Sequence, residues 1–128
     1  MGYDPVNIFC ENDVAANYVS MQNILRAADR PDGLIATVEK LTTDIYLACR
    51  ELKLSIPQDV KVISFSNLSS ASILHPSLTT VTQPAFEMGK AAAVALFKSL
   101  EKKNFSLQDE CRAMPSELIV RGSTAGDF

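Results

Sequence analysis

Ile56-Pro57-Gln58-Asp59-Val60-Lys61-Val62-Ile63-Ser64-Phe65 is the stretch that decides the fold class of this chain. Its first four residues have turn composition, and Val60 to Phe65 are rich in β-branched residues, which fit a pleated, buried strand. Upstream, a helix is predicted from about Leu41, with Ile45, Ala48, Cys49 and Leu52 on its inner face at helical spacing. Before it, Gly33-Leu34-Ile35-Ala36-Thr37 reads as a shorter strand. Strand, helix and strand in this rhythm form a right-handed βαβ unit, whose two strands lie parallel.

The rhythm extends in both directions. Val6-Asn7-Ile8-Phe9-Cys10 reads as a strand. Asp13 is placed to cap the helix that follows, because a short acceptor side chain satisfies free amides of the first turn. Val14, Tyr18, Met21, Leu25 and Ala28 carry that helix's apolar face, and Arg30-Pro31-Asp32-Gly33 ends it. After Phe65 the texture changes to a Ser- and Thr-rich segment from Ser66 to Thr82, with a short strand around Leu78 to Val81. The most regular helix spans about Ala85 to Lys103, its apolar stripe being Phe86, Ala93, Leu96, Phe97 and Leu100. Lys102 and Lys103 at its end complement the helix dipole. Gly89 weakens this helix slightly and implies close approach of a neighbouring element. A polar connection from Asn104 to Pro115 leads to a last strand, Glu117-Leu118-Ile119-Val120-Arg121, and a tail from Gly122 to Phe128.

The bulk properties narrow the function classes. At 128 residues the chain has the size of one ordinary domain, with 47% apolar and 21% charged residues. Net charge is −3 with no basic cluster, whereas nucleic-acid affinity needs concentrated positive charge, so no DNA binding by these residues is expected. No apolar run approaches the roughly 20 residues that span a bilayer, and no secretory signal is visible, so a cytoplasmic protein without membrane contact is expected. Cys10, Cys49 and Cys111 are far apart and lack metal-ligand spacing, so they read as reduced thiols. Neither metal nor cofactor is expected.

Four stretches together resemble one family. Pro31-Asp32-Gly33-Leu34-Ile35-Ala36 is similar to the segment that precedes an Asn-Asp ligand pair in lactose-repressor-type (LacI/GalR) transcription regulators. Ile56 to Phe65 resembles their "vPeDvaViGF" strand. Pro76-Ser77-Leu78-Thr79-Thr80-Val81, followed by Gln83-Pro84-Ala85-Phe86-Glu87-Met88-Gly89, resembles their "P-x-L-T-T-v-x-Q-P-x-x-x-M-G" crossover. Pro115-Ser116-Glu117-Leu118-Ile119-Val120-Arg121-Gly122-Ser123-Thr124 is similar to their closing "P-x-E-L-i-v-R-x-S-T".

The resemblance implies a three-layer αβα, parallel-sheet fold of periplasmic-binding-protein-like type I, present as an incomplete carboxy-terminal lobe plus a crossover helix. Residues 1–82 would form that lobe, 83–113 the crossover and a helix of the other lobe, and 114–128 the returning strand and tail. Such regulators hold a small molecule, usually a sugar or nucleobase, between lobes that the chain joins three times. They bind operator DNA through a helix-turn-helix head that has no counterpart in these residues. The fragment is then an effector-binding and dimerising piece of a regulator. The alternative is a solute-binding protein of an importer, which shares the fold. The crossover motif and the ending favour the regulator.

Ligands of doubly wound folds sit at the carboxyl ends of parallel strands. That places Asn12 and Asp13, then Glu39, then Ser66 and Asn67 as candidate ligand contacts, with Gln83 at the second crossover. Their hydrogen-bonding groups suit a small polar effector. Structural readings stand beside these: Asp13 as a helix cap, Ser66-Asn67 as a plain turn, Gln83 as a shaper of the hinge. The family's Asn-Asp pair matches Val38-Glu39, and its Asp-Asp pair matches Ser66-Asn67, so the paired aspartates that grip a pyranose are missing. Ile73, Leu74 and His75 correspond to the region that pairs subunits, and a homo-oligomer is expected; the competing reading tucks Ile73 and Leu74 into their own lobe. Exposing Phe86, Leu96, Phe97 and Leu100 would forfeit about 6–12 kcal/mol of transfer energy, so association through that helix is also expected. Catalysis is not expected, since the single His75 has no nucleophile motif beside it and no phosphate-binding glycine loop is present.

Overall fold

The computed structural model describes residues 6–8, 13–101 and 112–125. Helix α1 (Val14–Arg26) starts where expected, with Asp13 Oδ1 accepting from the Ala15 amide at 2.9 Å. Strand β1 (Gly33–Ala36), helix α2 (Leu41–Glu51) and strand β2 (Lys61–Phe65) follow, then a 3₁₀ turn (Ser69–Ser72), strand β3 (Thr79–Val81), helix α3 (Ala85–Glu101) and strand β4 (Leu118–Ile119). Of the strand expected over Val6 to Cys10, residues 6–8 belong to no element, and Phe9 and Cys10 lie outside the described residues.

The sheet has the order β1-β2-β3-β4. β1, β2 and β3 are parallel, whereas β4 runs antiparallel to β3, pairing Thr80 with Ile119 and Val81 with Leu118. The sheet is therefore mixed. The chain leaves β3 through the crossover to α3 and comes back alongside it, so its return has the opposite sense. Alternation along the strands divides the faces. Leu34, Ala36, Val62 and Ser64 are buried, and with Met21 and Leu25 of α1 and Ile45, Ala48 and Cys49 of α2 they build the core around Val60 and Leu78. The opposite face carries Ile35, which is 66% exposed. No residue of α3 is buried, and Phe86, Leu96, Phe97 and Leu100 are all exposed. Among the described residues, neither Ile35 on that face nor the apolar stripe of α3 is covered by a helical layer.

Helix α2 ends against its own preference. Leu54 N donates to Cys49 O at 2.9 Å and Lys53 N to Arg50 O at 3.2 Å, a pattern that places Lys53 in the left-handed region at φ 56°. A Cβ is disfavoured in that conformation and glycine is not.

At the amino ends of β2 and β3 the ladder has a gap, because their pairing begins only at Ile63 with Thr79. Ser123, fully buried, fills it. Val62 N donates to Ser123 O at 3.0 Å, and Ser123 Oγ donates to Val62 O at 2.6 Å. The same hydroxyl accepts from Thr79 N at 2.8 Å, and Ser123 N donates to Ser77 O at 2.8 Å. Arg121 adds Nη1 bonds to Leu78 O at 2.7 Å and to Thr80 Oγ1 at 3.0 Å, and Thr124 Oγ1 lies 2.6 Å from Thr79 Oγ1. Gly122 between them is closely packed: a Cβ there would meet Ser77 Oγ at 3.2 Å and Pro76 Cβ at 3.3 Å, and these side chains would have to give by a few tenths of an ångström to admit it.

Two stability predictions follow from this geometry. Ser123→Ala strips Thr79 N–H of an acceptor and Val62 O of a donor in a buried place, and should cost about 2–4 kcal/mol in urea unfolding; a loss below about 0.5 kcal/mol would mean the clasp is ornamental. Lys53→Gly should raise stability by about 0.5–1 kcal/mol, seen as a thermal midpoint a few degrees higher.

Candidate functional site

The carboxyl ends of β1 and β2 bring the candidate residues together, with one addition from the crossover. Leu41 N and Thr42 N donate to Val38 O and Glu39 O at 3.1 and 3.0 Å, so the chain leaving β1 turns directly into α2 and holds Glu39 at the strand end. Ser66 follows β2 and is 3% exposed. Its Oγ donates to Glu39 Oε2 at 2.5 Å and accepts from Leu68 N at 2.9 Å. The hydroxyl thus holds the carboxylate across the two strand ends. A carboxylate accepts several hydrogen bonds, so Glu39 keeps acceptor capacity for a ligand hydroxyl or amide.

Asn67, next in sequence, faces the crossover. Its Nδ2 donates to Gln83 O at 2.7 Å, and its Oδ1 accepts from Gln83 N at 2.9 Å. Thr82 beside it is tied to the return segment: Thr82 N donates to Glu117 O at 2.8 Å, and Glu117 N donates to Thr82 Oγ1 at 3.1 Å. The backbone of Gln83 is engaged on both its polar groups, and the residue borders an open cavity of about 820 Å³ between the crossover, α3 and the return segment. Phe65, Met88, Lys90, Lys98 and Arg112 contribute to the same walls. This cavity meets the strand-end group only at Phe65 and Gln83; Glu39, Ser66 and Asn67 lie outside its lining.

The remaining candidates separate. Asp13 is exposed and spends its carboxylate on the α1 cap. Asn12 lies outside the described residues. Within the loop after β2, Ile73 is 81% exposed and His75 is exposed, whereas Leu74 is partly buried and packs against the core. Leu74 and His75 border a second concavity of about 440 Å³, shared with Thr42, Tyr46 and Arg50 of α2. Tyr46 anchors the loop by donating from its hydroxyl to Pro76 O at 2.9 Å, and burial pushes that hydroxyl's pKa up to about 12. Among the described residues no cluster of three or more His, Cys, Asp or Glu is arranged to hold a metal ion.

Sequence reasoning missed the polar floor below the site. Thr42 Oγ1 donates to Ser64 Oγ at 2.9 Å with both residues buried. The signal was present, because Ser64 and Ser66 continue the buried face of Val62 with hydroxyls in place of hydrocarbon.

The family described as periplasmic binding protein-like domain matches residues 2–124. The chain belongs to this family. Among its relatives, the lactose operon repressor of Rhizobium radiobacter is 30% identical over 106 residues, covering 83% of this chain and 91% of that protein. The HTH-type transcriptional regulator RegA of Clostridium saccharobutylicum is 31% identical over 122 residues, covering 94% of this chain but 36% of that regulator. The chain therefore spans about a third of that relative's length. A LacI family transcriptional regulator from Enterococcus faecium, solved with bound ribose, superposes with a TM-score of 0.65 at 26% identity, covering 88% of this chain and 40% of the other. Membership in the periplasmic binding protein-like family agrees with the resemblance read from the crossover and closing motifs, and the similar curated proteins are transcriptional regulators.

The bond between Ser66 and Glu39 sets a prediction. Ser66→Ala should release the Glu39 carboxylate and leave the Leu68 amide without its acceptor, costing about 1–2 kcal/mol, whereas Glu39→Gln should cost under about 1 kcal/mol because an amide oxygen still accepts. Chemical denaturation of the two variants reads the difference, and equal losses would contradict this reading of the bond.

Proposed function

We propose that the chain is the effector-sensing part of a lactose-repressor-type transcription regulator. The observation that carries this is the joined group Glu39, Ser66 and Asn67 at the carboxyl ends of β1 and β2, bonded directly to the crossover at Gln83. Strand ends of this kind are where open α/β sheets hold their ligands. The family's regulators supply the second support, and they favour this reading over an importer's solute-binding protein. Residues 1–82 are then one lobe, 83–113 a crossover with a helix that belongs against the other lobe, and 114–128 the return.

The effector is a small, hydroxyl-rich molecule held by Glu39, whose carboxylate the buried Ser66 hydroxyl fixes, and by Gln83 at the crossover. One carboxylate rather than a pair suits a ligand gripped through fewer hydroxyls. The group is read as binding rather than catalysing: the Ser66 hydroxyl that donates to Glu39 is buried and ties the two strand ends together, and the similar regulators are not enzymes. Binding of operator DNA belongs to other parts of a whole regulator, since Asp and Glu outnumber Lys and Arg here by 15 to 12. Such a regulator works in the cytoplasm; no described helix is long and apolar enough to cross a membrane. Subunits pair through the exposed Ile73 and His75, and α3 buries its apolar stripe against a further surface.

Titration of the ¹⁵N-labelled chain with ribose and with lactose tests the site. A saturable shift confined to Glu39, Ser66, Gln83 and their neighbours, weakened about tenfold or more by Glu39→Ala, is the expected result. Shifts centred elsewhere, or insensitivity to that substitution, would reject the assignment. Light scattering tests association: the chain should run larger than a monomer at micromolar concentration, and Phe97→Glu should reduce its size.

A further inference from the structure

Asn67 was placed by its sequence position among the ligand contacts, but its amide is spent in another way. Oδ1 accepts from Gln83 N at 2.9 Å and Nδ2 donates to Gln83 O at 2.7 Å, so one side chain reads both polar groups of a single peptide residue across the crossover. The geometry is bidentate, which fixes orientation as well as distance. Gln83 O also accepts from Ala85 N at 2.8 Å, in the first residue of α3, and Pro84 O accepts from Met88 N at 2.9 Å in the helix's opening turn. The asparagine therefore braces the point where α3 begins. Its neighbour Ser66 is pinned on the opposite side by Glu39. Adjacent residues on one extended segment thus face two different tasks, one the effector group and one the crossover.

We infer that Asn67 is a positioning residue: it fixes the crossover at Gln83 and so the direction in which α3 leaves the lobe, and the Ser66–Glu39 bond biases that setting through the peptide between Ser66 and Asn67. Disturbing Ser66 or Glu39, as a ligand would, shifts the register of the Asn67 amide against Gln83. Two rigid attachments one residue apart leave few backbone torsions to absorb a displacement, so motion at one is passed to the other. Thr82, bonded to Glu117 on the return segment, makes the second brace of the same joint. Only the consequence for a whole regulator rests on the effector reading; the brace itself is a property of the unliganded chain.

The test is made without ligand, by ¹⁵N relaxation and shift measurements on the full chain. In Asn67→Ala the order parameter of Gln83 should fall from about 0.85 toward 0.6 or lower, while those of Val62 and Ser123, in the clasp, stay rigid. In Asn67→Asp, which keeps the acceptor but not the donor, the Gln83 amide proton should stay near its original shift while the Gln83 carbonyl carbon moves. In Ser66→Ala the Gln83 amide resonance should move, although Ser66 makes no bond to Gln83. An unchanged Gln83 in Asn67→Ala or in Ser66→Ala would overturn the inference. Loosening that reached Val62 and Ser123 in Asn67→Ala would reduce Asn67 to a general stabiliser, unless Asn67→Asp separates the amide and carbonyl responses as stated. Failure of ribose and lactose to bind would leave these outcomes untouched.

Discussion

The Ser123 clasp is the constraint on which the rest of the structure depends. A parallel pair of strands that starts out of step leaves backbone donors and acceptors of the longer strand without ladder partners. In a buried place, each such orphan costs on the order of 1–3 kcal/mol. Here the orphans belong to Val62 and Thr79, and a single serine supplies carbonyl, hydroxyl and amide to the gap. Because Val62 and Leu78 are both fully buried, the clasp also sets the depth at which β2 and β3 seat on α1 and α2. Everything at the opposite, carboxyl ends of those strands inherits its position from this one.

The elements were legible in the sequence for plain physical reasons. β2 announces itself by β-branched density, α2 by the spacing of Ile45, Ala48 and Cys49, and α1 by Asp13, whose cap bond forms as the pattern dictates. The sense of β4 was not legible, because two paired residues carry no directional signal of their own and the strand's direction is set by the path of the chain through α3. The candidate site was legible as a location and less so as a set of roles. Composition shows that Glu39, Ser66 and Asn67 can form hydrogen bonds; it does not show which of those bonds are already spent within the protein. Asn67 and Asp13 illustrate this, one turned toward Gln83 and the other toward its own helix.

Helix α3 shows the same distinction between pattern and partner. Its small and charged side, with Glu87, Ala91, Ala95 and Lys98, faces the return segment around Arg112 and Met114. Its bulky apolar stripe is exposed. Gly89 adds a notch to that stripe, and the close neighbour expected from its sequence position is not there: among the described residues nothing lies within 4 Å of where a side chain would begin. The helix is amphipathic with respect to a surface that the described residues do not provide, which fits a chain that spans about a third of a relative such as RegA.

The clasp also has a bearing on how the protein is made. Ser123 closes onto Val62 across a separation of 61 residues. A nascent chain that has completed β1, α2 and β2 therefore has the ends of its sheet unsealed until Ser123 has left the ribosome. Contacts of such long range form late, after the local helices and the β1–β2 pair. During that interval Val62, which β3 does not pair, keeps its backbone groups on that side open to wrong neighbours.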